Sequence, residues 1–346
     1  MDRMSALPYA HGGPVATATV RGCPEDFRVV EDLGFSPSGE GQHRMVEIEK
    51  RDINSDWVAT QLAKLVGIKK RDVGLAGLKD RYAVTRQWFS VDIAGKEEPE
   101  WAELERLPPE GQRLTLLQVV PHHRKLRRGA LQGNHFQLQL RALEGDQAAV
   151  EQRLQQIRER GIPNYFGEQR FGRGGQNVER ALQMFQRNYR PRGRHEKGLL
   201  LSAVRSELFN QLCGRRVEAG SWDQPLAGDL FALNRSRARF QVEQIDAEIE
   251  QRIAEHDIHP TGPLWGRGAL ESWGEVALLE QAVVAERKEL GEGLEQAGLE
   301  QDRRALRLLP RQLEWRWPDP EQLELSFWLP AGSYATVLLR ELVRYR

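Results

Sequence analysis

The sequence predicts an α+β fold in which one domain is interrupted by an inserted, helix-rich module. Three observations lead there. Short runs near the start alternate apolar and polar residues with a period of two. From about residue 164 the texture changes to clustered glycines followed by helical periodicity. After Pro310 a strand pattern returns, followed by a single amphipathic helix. Insertion at a surface loop is physically tolerable, because domain termini often lie close together. The final strand would then rejoin the first domain's sheet.

Residues 26–32 and 44–49 read as short strands. Asn54 or Ser55 can cap a helix whose apolar face is Val58, Leu62, Leu65 and Val66, and Gly67 stands where a left-handed C-terminal cap belongs. Phe89, Val91 and Ile93 alternate. In 135–141, Phe136, Leu138 and Leu140 share one face, and Gln137, Gln139 and Arg141 the other, a half-buried strand. A helix begins at Asp146, with Val150, Leu154 and Ile157 inward and Gly161 at its end. In the middle of the chain, helices start at Asn177, Ser202 and Ser272, where Ser272-Trp273-Gly274-Glu275 spells a capping box; residues 240–301 are acidic. Leu323, Leu325, Phe327 and Leu329 mark the returning strand, and Leu338, Leu339, Leu342 and Val343 the closing helix.

The chain has 346 residues, enough for two domains of ordinary size. Lys+Arg and Asp+Glu each total 50, which excludes a globally basic nucleic-acid binder but leaves room for a local basic face. A charged fraction of 29% with 40% hydrophobic residues reads as soluble and globular. No apolar run approaches the roughly 20 residues of a membrane span. The start, Met1 to Ser5, lacks the apolar core of a secretory signal. Cys23 and Cys213 are far apart, which argues against a disulfide framework and a cysteine-based zinc site. The predicted location is the cytoplasm. His122-His123 is not accompanied by any metal-ligand spacing, so no metal is expected.

Four segments could carry chemistry. In Gly77-Leu78-Lys79-Asp80-Arg81-Tyr82, one carboxylate stands between two cations just before a strand. An acid held among cations stays ionised, which suits a nucleophile; such turns are more often plain solvated surface. In Lys125-Leu126-Arg127-Arg128-Gly129, a cationic arm runs through a glycine turn to Gly133, Asn134 and a strand. It suits a phosphate grip leading to a base-reading pocket, against the ordinary reading of a solvated hairpin. Asn164 to Gly175 interleaves Tyr165, Phe166, Arg170 and Phe171 with glycines that form neither a dinucleotide nor a Walker loop, so no nucleotide cofactor is indicated. Its aromatics could stack bases or plug a core edge. Phe327 and Phe27 each read as core, or as the flat apolar wall a flipped base needs.

Together, CPEDFRVVEDLGF, GLKDRYAVTRQW, KLRRGALQGNHF, PNYFGEQRFG, SAVRSELFN and FWLPAGSYAT resemble the TruD family of pseudouridine synthases, in family order and over almost the whole length. The resemblance implies a pseudouridine-synthase-like catalytic domain with a mixed, largely antiparallel sheet over 1–159 and 309–346. An inserted helix-rich α/β domain, the TRUD domain, would span 160–308. It implies isomerisation of uridine-13 in tRNA; the sequence carries no cofactor motif, and no obligatory protein partner is evident. Asp80 matches the catalytic aspartate. Phe27, Asn134 and Phe327 match substrate-binding positions, and Phe136 the aromatic beside the target uracil. Arg21 falls where relatives carry a basic residue that can pair with the aspartate. Lys79, Arg81, Lys125, Arg127, Arg128 and Arg170 are candidates for the RNA backbone. A non-catalytic structured-RNA-binding protein is the competing reading, and it gives Asp80 no task. A glycoside-type hydrolase would need a second carboxylate in a set relation to Asp80.

Overall fold

In the computed structural model, residues 3–234, 236 and 238–346 are described; Met1 and Asp2, which open the N-terminal segment read above, lie outside them. The chain divides into two compact units. One holds Ala16–Val150, Pro310–Gly332 and Val343–Arg346; the other holds Met1–Val15, Glu151–Leu309 and Ser333–Leu342. The sequence draws its line at 159/160 and 308/309 instead, so 1–15, 151–159, 309 and 333–342 group differently in the compact units.

The first unit is built on a ten-stranded sheet. Its strands are β1 (Ala16–Val20), β2 (Phe27–Asp32), β3 (His43–Arg51), β4 (Gly74–Leu75), β5 (Val84–Asp92), β6 (Arg113–His122), β7 (Gly133–Gly145), β8 (Arg311–Asp319), β9 (Gln322–Pro330) and β10 (Val343–Tyr345). The main order is β8-β9-β7-β2-β5-β3-β6, with β1 joined to β7 and β10, and β4 to β5. Only β2/β5 and β1/β10 run parallel among these pairs, so the sheet is mixed and largely antiparallel, as expected. The late strand does rejoin the early sheet: β9 pairs with β7 from Leu323↔Leu140 to Pro330↔Gly133.

Register places the candidate residues. On β7, Phe136 lies opposite Val29 of β2 and Phe327 of β9, while Asn134 lies opposite Glu31 and Leu329. Phe27 lies opposite Leu138. Because side chains alternate with a period of two, all of these project from one face. Gly133 opens β7 where a Cβ would fall 2.2 Å from the Trp328 ring, so a side chain there would displace the neighbouring strand.

Helix α1 (Ser55–Val66) buries Val58, Leu62 and Val66 in a core with Val46, Ile48, Phe89 and Val91. Gly67 closes it in the left-handed conformation, φ 68°. Asn54 occupies the cap position without a side-chain cap bond, and the Ser55 hydroxyl is used elsewhere.

The second unit contains a 25-residue helix, Arg194–Glu218, shorter helices, and a four-stranded sheet ordered 239–241, 230–233, 258–264, 302–305. Three expectations are corrected by the structure. The long helix starts at Arg194 rather than Ser202; its first six residues, Arg194–Leu199, lie outside the buried face, which begins at Leu200. No capping box forms at Ser272: the helix Gly274–Ala285 has Trp273 at its cap, and the Ser272 hydroxyl bonds Glu280. The closing helix ends at Leu342, and Val343 begins β10 instead.

Candidate active site

Asp80 lies in the loop between β4 and β5, and buried polar side chains anchor that loop from below. The Gln87 amide donates to the Gly77 carbonyl. The Lys79 backbone N–H donates to Ser55 Oγ at 3.0 Å, and Ser55 Oγ donates to Gln87 Oε1 at 2.6 Å. Lys50 Nζ donates to the Asp80 carbonyl oxygen at 2.9 Å. Burial pushes the Lys50 ammonium down to about 8; Asp80 and Asp52 oppose that shift, and Lys79 adds to it.

Of the two cations that flank Asp80 in sequence, Lys79 reaches inward. Its ammonium pairs with Glu31 Oε1 at 2.7 Å, and both side chains are buried. Glu31 Oε2 also accepts the Trp88 backbone N–H at 3.0 Å. That ammonium is paired with Glu31, and its side chain is 7% exposed. Arg81 points outward, with its side chain 55% exposed and paired to Asp52 at 3.1 Å.

The guanidinium that meets the Asp80 carboxylate is that of Arg21, Nη2 to Oδ2 at 2.7 Å. Arg21 sits between β1 and a short turn, Pro24–Asp26, with φ +63°, a conformation costly for a residue with a side chain. The turn is held by Asp26, which accepts from the Cys23 N–H at 3.1 Å and from Arg141 Nε at 2.8 Å. The Arg21 guanidinium carbon lies 3.8 Å from the centroid of the Phe27 ring. It therefore presents its face to an aromatic and its edge to a carboxylate, the use for which a planar cation is suited. Tyr82 Oη bonds the Gly22 carbonyl at 3.2 Å, joining the loop to the same turn.

The aromatics continue the series. Phe27 and Phe136 meet edge to face at 6.1 Å, and Phe136 and Phe327 stack at 5.4 Å with 22° between planes. All three rings are buried. Beside them the Asn134 side-chain oxygen is buried without a hydrogen-bond partner. Asp80, Arg21, Phe27, Phe136 and Phe327 thus form one continuous chain of contacts. It offers a carboxylate oxygen at one end, apolar walls along its length, and an acceptor on the same sheet face.

The cationic arm lines a separate basin of 710 Å³, where Lys125, Arg127 and Arg128 are joined by Lys70 and Arg71, with Asp56 the one acid. Lys70 pairs with Asp56, and Lys125 Nζ donates to the Arg71 carbonyl at 2.8 Å. Gly129, at φ +79°, makes the turn that lets its N–H reach the Ala76 carbonyl at 2.8 Å, so the arm is tied to the segment leading to Asp80. Arg170 belongs to the other unit, where it bonds Tyr334 Oη and Ser202 Oγ, each at 3.0 Å.

The family profile described as tRNA pseudouridine synthase D matches residues 4–191 and 175–342. The chain belongs to the TruD family. A TruD relative from Nitrosococcus oceani, tRNA pseudouridine synthase D, is 49% identical, with 99% of this chain and 96% of the relative covered. The protein of that name from Methylococcus capsulatus is 47% identical over 98% of this chain and 94% of its own length. Among solved structures, a candidate TruD from Methanosarcina mazei superposes with a TM-score of 0.71 over 99% of this chain and 97% of that one, at 20% identity, a likeness of fold.

Lys50, Glu31, Ser55 and Gln87 were not singled out as site residues by the sequence. One signal did mark three of them. Lys50 follows Val46 and Ile48, Glu31 follows Phe27 and Val29, and Gln87 precedes Phe89 and Val91, each in the apolar phase of its strand. A polar residue in that phase is buried and must find a partner.

Proposed function

We propose that this protein isomerises uridine-13 of tRNA to pseudouridine, with Asp80 acting at the ribose. Membership of the TruD family carries the coarser statement, tRNA pseudouridine synthase, an isomerase. The observation that favours Asp80 is its carboxylate held by Arg21 at the head of the Phe27, Phe136 and Phe327 series. The domain carrying it would be the catalytic one, 1–159 with 309–346 in the sequence-based division, and 160–308 the inserted TRUD domain.

The reaction breaks N1–C1′ and forms C5–C1′ on the same ribose; C5 loses a proton and N1 gains one. The uridine leaves the stack first, which costs a few kcal/mol, and aromatic contact returns about 1–3 kcal/mol per base. Phe27, Phe136 and Phe327 supply the apolar walls, and the Asn134 oxygen is an acceptor suited to the uracil N3–H. Ionised Asp80 then either attacks C1′ or removes the C2′ proton; both routes use an oriented carboxylate oxygen. The detached uracil turns and rebonds within a pocket that excludes water. Arg127, Arg128, Lys125 and the exposed Arg81 are the candidates for phosphate contact, and Arg170 a further one from the other unit.

The test is Asp80→Asn on a tRNA transcript, read by carbodiimide labelling of pseudouridine and by filter binding. Binding is expected to persist and product to vanish. Substantial pseudouridine from that variant removes Asp80 from the chemistry. Release of free uracil by the unaltered protein would indicate hydrolysis, and binding without either product a non-catalytic RNA-binding protein.

A further inference from the structure

We infer that Lys50 is a positioning residue for Asp80, its buried ammonium fixing the stretch of main chain that carries the carboxylate. The inference rests on the reading of Asp80 as the catalytic group. Lys50 lies on β3 in phase with Val46 and Ile48, and it is fully buried. Removing an ammonium from water is costly, and a carboxylate at contact distance is the usual compensation. The hydrogen bond of this ammonium goes instead to a main-chain carbonyl, that of Asp80, at 2.9 Å.

The neighbouring anchors show why that is informative. Side chains attach the loop at three of its main-chain groups: the Gly77 carbonyl by Gln87, the Lys79 N–H by Ser55, and the Asp80 carbonyl by Lys50. The first two are neutral hydrogen bonds between side chains that also bond one another. They hold the shape of the turn. Only the attachment at Asp80 itself uses a full charge, and a charge-assisted bond is about twice as strong as a neutral one. With the Asp80 carbonyl anchored, rotation about the Asp80 Cα–C bond would swing its side chain, and the Arg21 contact at 2.7 Å has little slack for that. Lys50 opposes the rotation from beneath the loop while Arg21 holds the carboxylate above it. Lys50 is too enclosed to touch RNA, and its hydrogen bond goes to Asp80.

The experiment compares the full-length protein with Lys50→Met and Lys50→Gln. Three quantities are measured: tRNA affinity, single-turnover rate on a tRNA transcript, and hydrogen exchange of the 76–83 segment. For Lys50→Met we expect affinity within about twofold, a rate lower by about 30-fold or more, and exchange of 76–83 faster by about tenfold, since displacement of a reacting group by an ångström can cost about 100-fold. Exchange in β6 stays unchanged. Lys50→Gln, which keeps a donor, recovers part of the rate and of the protection. A folded Lys50→Met with an unchanged rate, or with a lost rate but unchanged exchange of 76–83, overturns the inference. Failure of both variants to fold also overturns it, because the lysine would then serve the fold as a whole. Asp80→Asn run alongside separates the two ideas. Product from Asp80→Asn removes the reading of Asp80, whereas an inactive Asp80→Asn beside an unaffected Lys50→Met removes only Lys50.

Discussion

Replacing Arg21 by Met keeps an unbranched stem and removes the guanidinium. Two contacts go with it, the 2.7 Å bond to Asp80 and the 3.8 Å stacking on Phe27. The side chains of the pair are 25% and 32% exposed, so neither the buried nor the surface limit applies. A hydrogen bond to a charged group contributes about 1.5–3 kcal/mol, and an exposed ion pair about 0–1 kcal/mol. Intermediate exposure gives about 1–2 kcal/mol, to which the cation–π contact adds about 0.5–1 kcal/mol. If that free energy holds the reacting carboxylate in place, the chemical step slows by about 10- to 100-fold, at about 1.4 kcal/mol for each factor of ten. Met does not relieve the positive φ, so the backbone has no reason to relax. Single-turnover pseudouridine formation on saturating enzyme isolates the chemical step, and binding at two salt concentrations detects any loss of tRNA affinity. Arg21→Lys, which keeps the charge but loses the planar fork, should fall between. A folded Arg21→Met with a rate within about twofold of the unaltered protein would refute the reasoning.

Phe327→Ala removes a fully packed ring, a change that costs about 3–5 kcal/mol; thermal unfolding should fall by at least about 5 °C, and an unchanged Tm would show that the ring is not part of the packing. Arg127→Ala with Arg128→Ala should flatten the slope of log affinity against log salt by about 1.4–1.8, two phosphate contacts' worth; an unchanged slope removes the arm from the RNA interface. His259 is held down to about 3 by burial, with the Arg307 charge beside it. The folded state therefore takes up this proton less readily than the unfolded state. Its contribution is present in full above about pH 6.5 and is lost at about 1.4 kcal/mol per unit as pH falls from there towards about 3. Denaturant titrations at pH 7 and pH 5 should show that loss, and His259→Asn should remove it; an equal loss in both proteins would assign it to other groups.

The alternation of Phe136, Leu138 and Leu140 was enough to place β7, and with it the shared face of Asn134 and Phe136. The matching pattern at Leu323 to Leu329 brought Phe327 to that face. Strand β6 escaped notice for a physical reason: its pairing with β3 shifts register between Glu47 and Ile48, so the period of two slips within it. Its position at the end of the sheet also tolerates Pro121. The partner of Asp80 was legible only as a charge at Arg21, because a positive φ and a ring beneath the guanidinium are products of tertiary structure. Lys79 is the opposite case. Adjacency in sequence suggested one role for its charge, while the β-strand phase of Glu31 decided another.

The pairing of β9 with β7 also sets a schedule. Strand β7 is complete at residue 145, but its partner begins at residue 322. At roughly 5–20 residues per second, a ribosome needs about 9–35 s to cross that interval. Through all of it, one edge of β7 lacks its native partner, the Phe136 ring lacks its stacking neighbour, and the wall of the candidate site is incomplete. Unpaired strand edges are aggregation-prone. The nascent chain is therefore most vulnerable at the element that later carries the site, and any activity that depends on Phe327 begins only after almost the whole chain has been made.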